Sequence, residues 1–342
     1  MPDARSAPPP DFQSVLVYTY EDTVGDGLAK LPFLRALRGR FPAARVTWCA
    51  GVGPSAYAGP LAPLVPGLMD EVMERAGIGR GPGDLLLVQP LGGRRFDLVL
   101  DTQTAILRTL CARRIRHRLF LTQAAGFRLS DRRPESGRPW PRHLVTALSA
   151  LLDLAALAAA AGEPPLAIPE PYVALAARLL PDGPVHVGIA PGAGDRAKCW
   201  PLANFVALAR DQAARGRVPV FFLGPGEEEW RREIADKVPT ALFPESEEAV
   251  ARAGLGGPVL AVALASRLAA AVANDSGAGH MLAAGGAPLV SLFSKHDPVK
   301  YAPAAPRLAV LDSKDYGGTD PALIPQQAVA GALERLLPPE PA

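Results

Sequence analysis

Short runs of β-branched and aromatic residues alternate with longer helical stretches, and the alternation occurs twice along the chain, with a proline-rich break between the two series. A strand followed by a helix and then another strand must return to the edge where it began. The strands therefore run parallel, and helices cover both faces of the sheet. In the first series the strand-like runs are 14–20 (SVLVYTY), 45–49 (RVTWC), 96–101 (FDLVLD) and 115–121, with helices over 28–41 and 104–112. In the second they are 185–190 (VHVGIA), 219–224 (PVFFLG), 268–273 and 288–293; helices are read over 201–215, 227–237 and 325–336, and a helix start at 277–285. Prolines 164, 165, 169, 171, 181 and 184 mark the connection, with a short helix at 172–180 inside it. A chain of 342 residues has the length for two domains. The expected organisation is α/β, with two Rossmann-like domains over 1–165 and 185–342, a linker at 166–184 and a terminal helix. Parallel sheets of this kind bind ligands at the carboxyl ends of their strands, here in a cleft that the two sheets would face.

Apolar residues make up 49% of the chain, enough for sizeable cores without disulfides. Cys49, Cys111 and Cys199 are odd in number and widely spaced, which reads as reduced thiols and excludes a CxxC-type zinc cluster. Residues 1–11 are proline-rich and carry no apolar signal core, so a cytoplasmic location is expected. The run 144–161 is apolar enough to suggest a membrane helix, but Asp153 interrupts it and its length fits a buried globular helix. Net charge is only +2, yet arginines crowd between 108 and 142, opposed there only by Asp131 and Glu135. Arg108, Arg113, Arg114, Arg116 and Arg128 are the candidates for holding an anionic ligand or a phospholipid surface; the same residues also read as a solvated loop face. Nothing in the run resembles a nucleic-acid-binding motif.

Four loops carry the chemistry. The first, 24–27 (VGDG), follows the first strand. Asp26 could take a proton from an alcohol as the alcohol attacks, or could cap the next helix; Glu21 and Asp22 lie in the same loop and compete for the role. The second, 190–201 (APGAGDRAKCWP), lets the backbone N–H groups of Ala193 and Gly194 approach an anion, and Lys198 adds a full charge. It matches neither a P-loop nor GxGxxG. The third, 274–280 (NDSGAGH), places Asp275, Ser276, Gly277 and His280 at another helix start. Here too an ordinary cap is the plain alternative. The fourth, 223–229 (LGPGEEE), offers Glu227 or Glu228 to ribose hydroxyls. Acidic residues in a first helical turn are also simply favourable electrostatics.

Taken in order, these segments resemble glycosyltransferase family 9, the ADP-heptose:lipopolysaccharide heptosyltransferase family. The resemblance runs from about 14 to about 337. It is carried by 14–42 with its Gly-Asp loop, by 190–201 with its Lys-x-Trp-Pro ending, by 222–229, and most specifically by 272–284 (VANDSGAGHMLAA). It implies the GT-B fold, inversion at the anomeric carbon, and no metal or other cofactor. By resemblance Asp26 is the base, and Lys198 with the 193–194 backbone holds the diphosphate. Glu227 or Glu228 holds the ribose, with the register open. Asp275 holds the donor sugar, and Ser276, Gly277 and His280 complete the pocket. The implied partners are a nucleotide-sugar donor such as ADP-heptose and an anionic glycolipid acceptor met at the cytoplasmic face of the inner membrane. Two departures stand out: Ala193 and Gly194 replace the hydroxyl residues frequent in the family, and Glu21, Asp22 and Thr23 replace a small-residue loop. The alternatives are a transferase for another donor or acceptor, protein hydroxyls included, a nucleotide-sugar epimerase, and a non-enzymatic two-domain binding protein.

Overall fold

A computed structural model describes residues 12–86, 89–137, 139–155 and 162–338. The leader reading of 1–11, Arg138 of the arginine run and the end of the apolar run, 156–161, lie outside the described residues. The chain divides into two compact units, Met1–Thr23 with Lys30–Ala167, and Val24–Ala29 with Ile168–Ala342.

In the first unit the elements are β1 (Ser14–Thr19), α1 (Val24–Arg40) from Lys30 onward, β2 (Arg45–Ala50), β3 (Glu71–Met73), β4 (Arg95–Asp101), α2 (Ile106–Ala112), β5 (Arg116–Thr122) and α3 (Leu144–Ala155); the start of α1, Val24–Ala29, groups with the second unit. The strands form one parallel sheet in the order β3-β2-β1-β4-β5. β1 is its centre: Val15 pairs with Val46 on one side and Leu98 on the other. Residues 15–18 are fully buried, as a strand covered on both faces requires, and that is why the run is continuously apolar rather than alternating. The core beneath joins Leu16, Tyr18, Val99 and Phe120 to Cys111 and Ile115. The chain leaves β1 toward β2 and later returns to β4 on its other side, so the switch of direction falls between β1 and β4.

The second unit contains α4 (Glu170–Leu179), β6 (His186–Ala190), α5 (Leu202–Ala214), β7 (Val218–Phe221), α6 (Trp230–Lys237), α7 (Glu248–Ala253) and α8 (Pro258–Ala265). It continues with β8 (Ala270–Asn274), α9 (Gly277–Ala284), β9 (Leu289–Phe293), α10 (Pro298–Tyr301), β10 (Leu308–Asp312) and α11 (Gln326–Leu336). Its parallel sheet has the order β10-β9-β8-β6-β7, with the switch between β6 and β8.

Several boundaries differ from the sequence reading, each for a physical reason. α1 begins at Val24 rather than 28, so Asp26 sits inside the first helical turn. α6 begins at Trp230 because 224–229 is spent on turns. β10 has no counterpart in the sequence reading: it is an edge strand, and Leu308 and Val310 are exposed, so it lacks a buried strand's apolar run. The proline-rich connection is not a free spacer over its whole length. Leu175, Ala176 and Leu180 are buried with Leu260 and Leu264 of α8 in the second unit's core. Among the described residues no helix is long and apolar enough to cross a membrane.

Candidate functional site

In the second unit the loops after β6, β7, β8 and β9 are tied together at the carboxyl end of the sheet, around the switch point where ligands of such sheets bind. Asn274, the last residue of β8 and fully buried, does much of the tying. Its amide donates to the Pro191 carbonyl at 2.7 Å and accepts from the Trp200 N–H at 3.0 Å, which pins both ends of the 191–200 loop. Trp200 is anchored in turn by donating from Nε1 to the Ile324 carbonyl. Within the loop Asp195 caps the turn Arg196–Lys198 by accepting from Ala197 N–H. Arg196 crosses to the next loop and donates to the Gly226 carbonyl and to Glu229, both at 2.7 Å.

Two glycines distinguish the surroundings of the two glutamates. A Cβ built on Gly192 would lie 2.4 Å from the Glu227 carboxyl carbon, and one on Gly224 would lie 2.6 Å from its Oε2. Glu227 therefore folds over backbone that only glycine leaves open, facing the loop after β6. Glu228 points away, is exposed, and pairs with Arg231. Of the two, Glu227 is the one that faces the loop after β6.

The helix α9 opens beside this loop. Its N-cap is Ser276, but no side chain caps it, and Ser276 Oγ is buried without a hydrogen-bond partner among the described residues. The first amides of a helix have no intrahelical acceptor, and here they carry the positive end of the helix dipole toward the loop. An uncapped helix start with a buried hydroxyl awaiting a partner and Lys198 from the neighbouring loop is suited to a diphosphate. Asp275, with a side chain only 10% exposed, faces the imidazole of His296 at 2.6 Å, and Lys198 lies against the same ring. His280 follows one turn into α9. Asn274, Lys295 and His296 are site residues that the sequence reading does not single out. The usable signal for the last two is the polar loop after a strand, 294–297, which repeats the pattern of the other three loops.

Asp26 is exposed on the third residue of α1, within the stretch Val24–Ala29 that groups with the second unit, so it is not the N-cap. Its rival Asp22 is excluded from catalysis by its partners. The Asp22 carboxylate is fully buried and accepts from Lys30 Nζ at 2.6 Å, Trp48 Nε1 at 2.7 Å and Ser55 Oγ at 3.3 Å. Breaking a buried pair of this kind costs about 3–5 kcal/mol, which makes it part of the fold's framework. Glu21 is exposed and lies against Gly53.

The arginine run is not one patch. Arg108 follows the carboxyl end of β4, its guanidinium 3.5 Å from the Tyr20 ring centroid and within reach of Gln103, at the switch between β1 and β4. Arg128 is exposed in the loop beyond the carboxyl end of β5. Arg113, Arg114 and Arg116 instead surround the start of β5, at the opposite edge of the sheet. Arg113 is engaged there by Asp131 at 2.5 Å and the Leu129 carbonyl. Among the described residues no group of three or more His, Cys, Asp or Glu side chains is arranged to hold a metal ion.

The family model of glycosyltransferase family 9 (heptosyltransferase) matches residues 85–320. A glycosyltransferase family 9 structure from Veillonella parvula superposes with a TM-score of 0.71 at 20% identity, covering 95% of this chain and 97% of that one. E. coli ADP-heptose LPS heptosyltransferase II follows with 0.66 at 22% identity, covering 94% and 98%. E. coli heptosyltransferase WaaC with ADP gives 0.64 at 16% identity, covering 94% and 99%. The structural likeness is one of fold. No curated protein matches the sequence.

Proposed function

The chain belongs to glycosyltransferase family 9, the heptosyltransferase family, and has its GT-B fold, and on that premise we propose that it moves heptose from ADP-heptose, with inversion, onto a hydroxyl of an anionic glycolipid core. The observation that carries this reading is the convergence of Lys198, Glu227, Asp275 and the uncapped start of α9 around the β6–β8 switch point. The roles divide by chemistry. Glu227 takes the ribose, Lys198 and the amides of Ala193, Gly194, Ser276 and Gly277 take the diphosphate, and Asp275 and His280 take the donor sugar.

The reaction is a single in-line displacement. The acceptor oxygen bonds to the anomeric carbon while Asp26 takes its proton, and the bond to the diphosphate oxygen breaks with its electrons leaving on the nucleoside diphosphate. Negative charge grows on that leaving group, so fixed amides and an ammonium stabilise the transition state more than the ground state. No divalent cation is needed in this scheme. Arg108 and Arg128 are the arginines suited to an anionic acceptor, and such an acceptor places the enzyme at the cytoplasmic face of the inner membrane.

A thermal-shift panel of ADP-, GDP- and UDP-sugars tests the donor, with a selective shift expected for ADP-heptose. Transfer to a Kdo- and phosphate-bearing core acceptor should then proceed unchanged in EDTA. A shift with a different donor alone refutes the heptose assignment, and loss of the rate on chelation refutes the metal-free scheme.

A further inference from the structure

The loop after β9 supplies a side chain to which the donor assignments above give no role. His296 Nδ1 lies 2.6 Å from Asp275 Oδ2, and Lys198 Nζ lies 3.5 Å from Nδ1 and 3.4 Å from Nε2. Near-equal distances to both nitrogens mean that the ammonium is not directed at one nitrogen alone. With Nδ1 common to both contacts, the carboxylate and the ammonium are at most about 6 Å apart. Even so, no ion pair joins Lys198 to Asp275 among the described residues. Tyr301 packs on the ring with centroids 5.7 Å apart, and the backbone around it is held by Lys314 Nζ donating to the His296 carbonyl at 2.9 Å and by Asp297, which caps α10. The neighbouring Lys295 is taken by Asp195 at 2.9 Å and does not compete for Asp275.

Opposite charges this close attract, and the attraction grows as they approach and as water is excluded. With nothing between them, Lys198 and Asp275 would close into a direct pair. That pair would cancel the cation meant for the diphosphate and the carboxylate meant for the sugar. We propose that His296 is a positioning residue whose ring keeps Lys198 and Asp275 near each other but unpaired, so that the donor's diphosphate and sugar each find a free partner. The inference rests on the donor-site reading above.

The test is a double-mutant cycle on the full chain, read by calorimetric titration with ADP, GDP and UDP in turn and by circular dichroism as a check of folding. His296→Ala should weaken binding of the preferred nucleoside diphosphate about tenfold, and adding Asp275→Asn should restore it to within about twofold, because the released lysine no longer has a carboxylate to pair with. His296→Phe, which keeps a ring against Tyr301, should stay within about threefold of the unaltered protein. A histidine that merely supported the loop would show no rescue by Asp275→Asn. Unchanged binding in His296→Ala, no rescue by Asp275→Asn, or a loss in His296→Phe equal to that in His296→Ala overturns the proposal alone. Failure of the unaltered protein to bind any of the three diphosphates overturns the donor-site reading and this inference with it.

Discussion

Asp26 stands where two effects of a carboxylate overlap, and a conservative substitution separates them. As the third residue of α1 it lies near the positive end of the helix dipole, an interaction worth about 0.3–1 kcal/mol at an exposed site. In its proposed role as the base it would contribute a proton transfer worth about 10²–10⁴ in rate. Asp26→Asn should therefore lower kcat by at least about a hundredfold while the melting temperature moves by only a few degrees and donor affinity persists. Steady-state rates beside donor titration decide it; normal turnover in the variant leaves Asp26 with a helix-electrostatic role only. Asp22 shows how burial removes a rival of the same residue type. It is four residues away and equally acidic, but Lys30, Trp48 and Ser55 already consume its oxygens.

At the scale of elements, the end of β4 carries a pH-dependent joint. Asp101 accepts from Thr109 of α2 at 2.6 Å, from Thr122 of β5 at 3.0 Å and from Gln103 N–H at 2.8 Å. All three favour the charged form, yet burial outweighs them and pushes its carboxyl up to about 6. A raised acid favours the fold when protonated. Its contribution is complete below about pH 4, the unfolded value, and is lost as pH rises to about 6, amounting to on the order of 3 kcal/mol. Glu71 works in a separate window: hydrogen bonding from Arg94 outweighs burial and holds it at about 2, so its contribution is lost only below about pH 4.5. Urea unfolding from pH 4 to 7 should show the stability of Asp101→Asn gaining on the unaltered protein up to about pH 6, then running parallel. A constant difference across that range contradicts the assignment. The same edge of the sheet separates the arginines. Arg108→Glu combined with Arg128→Glu should raise acceptor KM about tenfold with donor affinity unchanged, whereas Arg116→Glu, at the other end of β5, should leave both parameters alone. Equal effects from both ends would mean that the acceptor is not held at the switch point. The sequence reads as one basic run across these arginines, although the strand read at 115–121 already separates residues at its start from Arg128 beyond its end. The strands are legible, since burial on both faces writes a mostly apolar run at β1, β4, β6 and β9, interrupted at Asp97 and Ser291. Edge strand β10 is not, for the opposite reason. The choice of Glu227 over Glu228 and the place of His296 are equally hidden: one depends on open space above Gly192 and Gly224, the other on contacts between loops about a hundred residues apart.

At the scale of the whole molecule, two sheets with separate cores share one chain, and the residues assigned to the donor all belong to the second unit. A ligand that binds only the folded form stabilises what it binds, by about 2.7 kcal/mol at a hundred times its dissociation constant. If the donor site is built from Lys198, Glu227, Asp275 and α9 alone, that free energy enters the second sheet. Exchange of buried amides reports opening of each region separately. With saturating nucleoside diphosphate, amides of β6, β8 and α9 should exchange about a hundredfold more slowly, while those of β1, β2 and β4 stay within about twofold. The two sets serve as each other's control in one sample, since both titrate under the same solvent and temperature. Equal protection of both would mean that the units open as one cooperative body, and protection confined to β1, β2 and β4 would move the nucleotide out of the second unit.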